Sequence, residues 1–520
     1  MTHAPVTDIV VVSDLHLGTG LQPSGTFSRH EEFFYDHEFA DFVRFLIGRS
    51  RERGRPMKLV LNGDVMDYLA VRELPAVREG QEPEFQLSRS EQKFGMGSAE
   101  PKAVWKTRVV LRGHEVFFRA LADLLSAGHD LVWIRGNHDL ELHWPSVRAE
   151  LEAWFAQAVT RTTGGDGPAA CPPGRIEFHE WFYLEPGRIL IEHGNQYDPT
   201  NALEAPLAPL LPEGAYDTPE RLLDYPVGSL FARFVYAPIR AIDPYRTHVI
   251  SFAQYLSVIR GYNLLDFLRT LYFNFPFFLR AVRNSANYGR HDLDELHRAQ
   301  EGARDAYAAT HGLNEESAEA LDALRSRPMG LSSYQIFMGM FRPFVRQVGL
   351  FSALAVLSVF GWIVLFNTLF TLLPDSIFGR ASLMAVLAVL TVVGIFYALT
   401  KIGKSISTYT DPLVPDTREK AHEAARVAGT PLVVMGHTHM AEVVHWPDGI
   451  TYLNTGTWVP MPGPWDHLQP RARQFTFADI DPEGARLLRW NPQLGRPVPP
   501  VILSEESANT MDRVMGGDFF

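Results

Sequence analysis

A few side chains in this sequence are of types that suit divalent-metal chemistry: Asp14 and His16, Asp64, Asn137 with His138 and Asp139, His193, and His437 with His439. Carboxylate, amide oxygen and imidazole are donors that Mn, Fe and Zn accept. An intramolecular disulfide and a thiolate metal cluster are excluded, because Cys171 is the only cysteine. His30, His37, His114, His129, His143, His179 and His445 follow no such pattern and read as surface or core histidines.

Each candidate group follows a short apolar run that reads as a buried strand: residues 9–12 before Asp14 and His16, 59–61 before Asp64, 131–134 before Asn137, 189–191 before His193, and 432–435 before His437. Strands that end together at one rim of a sheet would bring all five segments to one place. Asp14 and His16, two apart on extended chain, are expected to point the same way. Gly63, Gly136 and Gly436 are expected to let the backbone turn beside the metals with no Cβ in the way.

In order, D-x-H, G-D, G-N-H-D, H-G and G-H-T-H resemble the signature of the calcineurin-like metallophosphoesterases, over roughly residues 1–200 and 415–490. Any one piece is common by chance; five in order, each after an apolar run, are not. The resemblance implies an α/β catalytic domain, a four-layer αββα sandwich, that hydrolyses phosphate esters with two divalent metal ions, Mn before Fe or Zn. It implies that Asp14, His16 and His439 hold one ion and Asn137, His193 and His437 the other, with Asp64 bridging both. A bridging carboxylate can keep two cations about 3.5–4 Å apart despite their repulsion. The resemblance also makes His138 the group that binds the phosphate or protonates the leaving alkoxide, with Asp139 fixing its tautomer. Asp67 and Asn454 read either as partners of ligating imidazoles or as turn caps, and Asn195 as a further candidate for substrate contact.

With 520 residues, the chain has room for a catalytic domain and an insertion, and its net charge of -12 argues against a nucleic-acid polymer as partner. Two uncharged apolar stretches, 348–373 and 381–400, are 26 and 20 residues long. Each is long enough to cross a bilayer, which takes about 20 residues. Pro374, Asp375 and Gly379 lie between them, so the pair reads as a transmembrane helical hairpin. Arg342, Arg346, Lys401 and Lys404 flank the outer ends and place both ends, with the catalytic domain, on the cytoplasmic side of the membrane. Two crossings also let His193 and His437, on opposite sides of the hairpin in sequence, meet in one site. Between Arg221 and Arg290 the chain holds nine Arg and no Lys against three acids, with fifteen Phe or Tyr. That segment reads as amphipathic helices near the membrane surface, a lid for an anionic head group or an accessory helical domain. The expected organisation is therefore a catalytic domain in two parts, 1–200 and 405–490, a helical insertion over 201–345, the hairpin over 346–404, and a tail over 491–520. Residues 291–327, rich in Ala, Glu and Asp, read as solvated helices.

G-N-H-D differs from the R-G-N-H-E pattern of protein Ser/Thr phosphatases. The strand-end motifs and the segment 452–458 are also similar to UDP-2,3-diacylglucosamine hydrolases, although His138 stands where those enzymes commonly have Arg. The leading expectation is a phosphomonoester, phosphodiester or pyrophosphate substrate that is membrane-associated or lipid-linked. The alternatives are a membrane-tethered phosphodiesterase of soluble nucleotides and a catalytically silent scaffold.

Overall fold

The computed structural model describes residues 7–28, 30–76, 84–163, 174–212, 218–236, 264–285, 290–328, 413–459 and 474–500, with isolated positions between 357 and 389. The apolar runs that precede the candidate ligands are strands: β1 (Asp8–Val12), β2 (Met57–Asn62), β3 (Asp130–Ile134), β6 (Ile189–Glu192) and β7 (Leu432–Met435). β1, β6 and β7 are buried along their whole length. That is why they lack the alternation of half-exposed strands.

β1, β2, β3 and β4 (Ile176–His179) run parallel, and β10 (Thr476–Asp481), β11 (Gly484–Asn491) and β12 (Arg496–Val498) extend the sheet antiparallel from β1. A second, five-stranded sheet has the order β5-β6-β7-β9-β8, with β5 at Phe182–Glu185, β8 at Glu442–His445 and β9 at Thr451–Asn454. Alternate side chains of the first sheet, Ile9, Val11, Val60, Val132 and Ile134, pack against Ile189, Ile191, Val434 and Leu453 of the second. Helix α1 (Asp36–Arg53) covers the outer face of the first sheet, where Phe42 meets Phe477 and Trp490. The outer face of the second sheet carries Leu190, Val433 and Met435 against Ala421, Ala424 and Ala425 of helix Leu413–Ala428. Two mixed sheets are thus packed face to face with helices on both outer faces.

Helices Arg290–Thr310 and Glu315–Ala323 bury Ala308, Ala318 and Leu321 in that same outer core, so one face of each is packed rather than solvated. Their buried faces rely largely on alanine, which leaves little hydrophobic contrast in the sequence.

The chain divides into two compact units, one of Met1–Val249, Leu268–Leu331 and Leu413–Phe520, the other of Ile250–Phe267 and Ser332–Pro412. The hairpin expected over 346–404 falls in the second and, apart from a few helical positions such as Leu357, Phe360 and Val389, lies outside the described residues. Among the described residues no helix is long and apolar enough to cross a membrane.

Candidate metal centre

The five loops that leave β1, β2, β3, β6 and β7 meet at one rim. They do so through an unusual backbone: Asp14, His16, Asp64, His437 and His439 all have positive φ, between 51° and 66°. Left-handed non-glycine residues are uncommon, cost of order 1–3 kcal/mol each, and cluster at functional sites. Asp14 and His16 are therefore not on extended chain as expected. The left-handed turn lets Asp14 N reach Gly63 O at 3.1 Å, and Leu15 N and His16 N both reach Asp64 O at 3.0 and 2.9 Å. These bonds lock the β1 loop onto the β2 loop.

Asp14, His16 and His439 form one group of donors and Asp64, His193 and His437 another, with the ligand atoms of each group within 4.8 Å of one another. Asp14 Oδ2 accepts from Ser13 Oγ and from His437 N, while Oδ1 faces His439 Nε2 at 3.2 Å. His16 Nε2 lies 3.2 Å from His439 Nε2. His193 Nδ1 donates to Asn62 O at 2.9 Å, which leaves Nε2 pointing at Asp64 Oδ2, 3.2 Å away. His437 Nε2 faces Asp198 Oδ2 at 3.2 Å, so Nδ1 is the nitrogen available to a cation.

The donor set fits a pair of divalent cations. Asn137 donates its amide to Asn201 Oδ1 at 3.4 Å, yet its own Oδ1 is buried with no hydrogen-bond partner. Asp14 Oδ1 and His193 Nε2 are likewise buried without hydrogen bonds, although each lies near an opposite group. Buried polar atoms are rarely left so; converging acceptors of this kind are what cations satisfy.

Burial opposes charge on every group here, and the groups offset one another. It would raise the Asp14 carboxyl, but His439 and then His193 outweigh it and bring it to about 2. Asp64 is held well below its usual range, mainly by His193 and His138 against burial. Burial would lower His193, but Asp64 raises it to about 9, and His138 is raised against burial to about 10 by Asp67 and Asp64. Asp139 goes up to about 6, through burial and the charge of Asp64.

Close backbone approach explains the glycines. A Cβ on Gly136 would lie 2.2 Å from Asp64 Oδ1, and one on Gly436 2.5 Å from Asp14 Oδ2. Gly63, at φ +77°, would push a Cβ to 2.4 Å from the His193 ring.

Two expected partnerships are different. Asp139 does not orient His138: its oxygens accept from Gly136 N at 2.6 Å and Val65 N at 3.1 Å, tying the β3 loop to the β2 loop. The carboxylate facing His138 Nδ1, at 3.1 Å, is Asp67, which also caps Leu69 N and Ala70 N. Asn454 holds no imidazole; its amide donates to Gly436 O at 2.8 Å and Thr438 Oγ1 at 3.1 Å, bracing the β7 loop. Asn195 is buried and donates to Asn201 O. Sequence reasoning misses Asp198, beside His437: it lies just past the 3-10 turn Asn195–Tyr197, where no periodicity marks it. Outside the centre, His114 is buried between Glu31 and Asp36, His143 meets Glu180, His179 meets Tyr307, and His445 meets Thr451.

Two packed sheets with a buried, two-part His/Asp donor set at their common rim define a metal-dependent hydrolase. Residues 7–223 match the family model of the calcineurin-like phosphoesterases, so the chain carries a domain of that family and is a metal-dependent phosphoric ester hydrolase. The match includes Asp14, His16, Asp64, Asn137, His138 and His193; His437 and His439 join them from beyond it. No curated protein matches the chain.

Proposed function

We propose that the protein hydrolyses a membrane-associated phosphoester at a dinuclear centre held by Asp14, His16, Asp64, Asn137, His193, His437 and His439, with Mn as the first candidate metal. The observation that carries the reading is the pair of donor groups, Asp14 with His16 and His439 and Asp64 with His193 and His437, each drawn from both sheets. When bound, two such ions acidify a water and neutralise phosphoryl oxygens.

The chain's own residues do the rest. Asp64 accepts from His138 N at 2.8 Å, which fixes the distance between the bridging carboxylate and the candidate acid. Asp67 Oδ2 lies 3.1 Å from His138 Nδ1, which leaves Nε2 as the nitrogen that can present a proton to the leaving oxygen. Ser13 Oγ donates to Asp14 Oδ2 and lies 2.6 Å from Thr455 Oγ1, and Thr457 Oγ1 separately donates to Asp14 O at 2.7 Å. Membrane attachment through 346–404 is supported by the two uncharged runs and by the exposed apolar side chains at Leu357, Phe360, Ile363 and Val389 within them.

The test is hydrolysis of bis(p-nitrophenyl) phosphate and of the matching monoester by detergent-purified protein with Mn, beside Asp64→Ala and His138→Ala. Turnover that a chelator and Asp64→Ala abolish, and His138→Ala only reduces, is the expected result. Metal-loaded protein with no turnover on either ester would sink the catalytic assignment. Equal rates on short-chain and long-chain phospholipid analogues in mixed micelles would overturn the membrane-substrate half and favour soluble nucleotides.

A further inference from the structure

Among the described residues, the buried Lys and Arg side chains are paired, with one exception. Lys102 meets Glu91 and Glu220, Lys106 meets Glu141 at 2.7 Å, and Arg135 meets Glu180 at 3.1 Å. Arg233 is 7% exposed and has no carboxylate among the described residues; its guanidinium donates to Gly95 O. It sits in the π-helical turn Ala232–Tyr236, within the Arg- and aromatic-rich insertion. Arg72, on the loop after β2, donates through Nη2 to the Arg233 carbonyl at 3.1 Å, and its Nε is buried with no hydrogen-bond partner. Arg72 also meets no carboxylate among the described residues. Burial and then the charge of Arg233 bring the Arg72 guanidinium down to about 10, against a smaller opposing effect of Asp67.

Two like charges in a poorly solvated place cost stability unless an anion joins them. Asp67 does not fill that role, because its Oδ2 is committed to His138 and its Oδ1 to Leu69 N and Ala70 N. Asp67 does fix where the arginines are: Arg72 is five residues further along the same loop, and Tyr68 N donates to His138 O at 3.2 Å. Arg72, with the Arg233 carbonyl it holds, therefore belongs to the loop that is tied to His138, the side on which the leaving portion of the substrate lies under the reading proposed above. Planar guanidinium forks match tetrahedral oxyanions, in particular phosphate.

Resting on that reading, we infer that Arg72 and Arg233 form an anion subsite on the His138 side, which takes a second, unhydrolysed phosphate group of the substrate. Arg233 comes from the insertion, so the subsite makes the insertion part of substrate selection.

Sulfate is the probe, since it mimics phosphate and binds Mn weakly. The full metal-loaded chain in detergent is titrated with sulfate at constant ionic strength, with the unfolding temperature read for wild type, Arg72→Gln and Arg233→Gln. A saturable rise in wild type, with sulfate affinity at least tenfold weaker in each variant, is expected. If Arg233→Gln does not fold, Arg72→Gln decides, being the less buried position. Equal sulfate affinity in wild type and Arg72→Gln, or no response in wild type, overturns the subsite. Sulfate inhibition of wild-type turnover of a pyrophosphate diester, which carries the second phosphate that bis(p-nitrophenyl) phosphate lacks, then separates the sources, with Arg72→Gln as the control for sulfate bound at the metals. A rise in KM assigns the subsite to the substrate's own phosphate, and a fall in kcat at constant KM would reject that assignment in favour of free phosphate as an effector. Wild type without any turnover would count against the proposed hydrolysis, while the thermal titration would still report on the subsite.

Discussion

Replacing Gly136 by alanine tests how tightly the candidate centre is built. The new Cβ would sit 2.2 Å from Asp64 Oδ1 and 2.5 Å from Asp64 N, where ordinary contact begins at 3.4 Å. The carboxylate oxygen would have to retreat by about 1.2 Å, against a tolerance of about 0.2 Å in metal–donor distances. A misplacement of about 1 Å costs on the order of 10²-fold in rate, and overpacking costs about 1–3 kcal/mol of stability. The same Asp64 oxygen accepts from His138 N, so the candidate acid is disturbed with it. We expect Gly136→Ala to hold fewer than two metal ions per chain after desalting, measured by inductively coupled plasma mass spectrometry, and to lose at least about 100-fold in turnover. Two ions per chain with turnover within about threefold of wild type would refute the view that glycine is needed to clear the Asp64 carboxylate.

Three further outcomes are expected. A Cβ added at Gly48, inside α1, would meet nothing within 4 Å, so Gly48→Ala should raise stability by about 0.5–1 kcal/mol and leave metal content unchanged; a loss of stability would contradict that placement. Burial would lower His114, but Glu31 and then Asp36 raise it to about 9. Relative to an unfolded value near 6.5 this is worth about 3 kcal/mol, present in full below pH 6.5 and lost as pH rises through 9. The urea midpoint of wild type should therefore fall between pH 6.5 and 9.5 by more than that of His114→Gln, and parallel curves would refute the linkage. Asp198→Asn keeps an acceptor near His437 Nε2 but removes the charge, so affinity for the more weakly held ion should fall about 10–100-fold in a chelator competition; unchanged affinity would show that Asp198 does not act through His437.

Much of this was legible because buried strands and loop ligands leave separate marks. The runs before Asp14, Asp64, Asn137, His193 and His437 are apolar throughout because both faces of their strands are covered, and the candidate ligands follow within a few residues. Side-chain direction was not legible. Asp139 is next to His138 in sequence, but the turn at Gly136 folds its carboxylate back onto main-chain amides, and Asp67 reaches the imidazole from another loop. The left-handed conformations of Asp14 and His16 depend on acceptors at Gly63 and Asp64, some fifty positions away. Arg72 and Arg233 are 161 positions apart, and no local pattern announces that the guanidinium of one will reach the main-chain carbonyl of the other.

Each donor group takes members from both sheets: Asp14 and His16 join His439, and Asp64 joins His193 and His437. Bound ions would therefore act as rivets between the two sheets. His437 follows His193 by 244 positions, so during synthesis the four parallel strands of the first sheet and two strands of the second are made long before the last imidazoles exist, while β10, β11 and β12 follow them. Neither ion can be fully coordinated until the whole insertion has been made and the chain has returned to add β7 and β9. Metal loading would then mark the completion of assembly, and a chain stalled or misfolded in the insertion would remain both unriveted and inactive, so that it could not release uncontrolled hydrolytic activity.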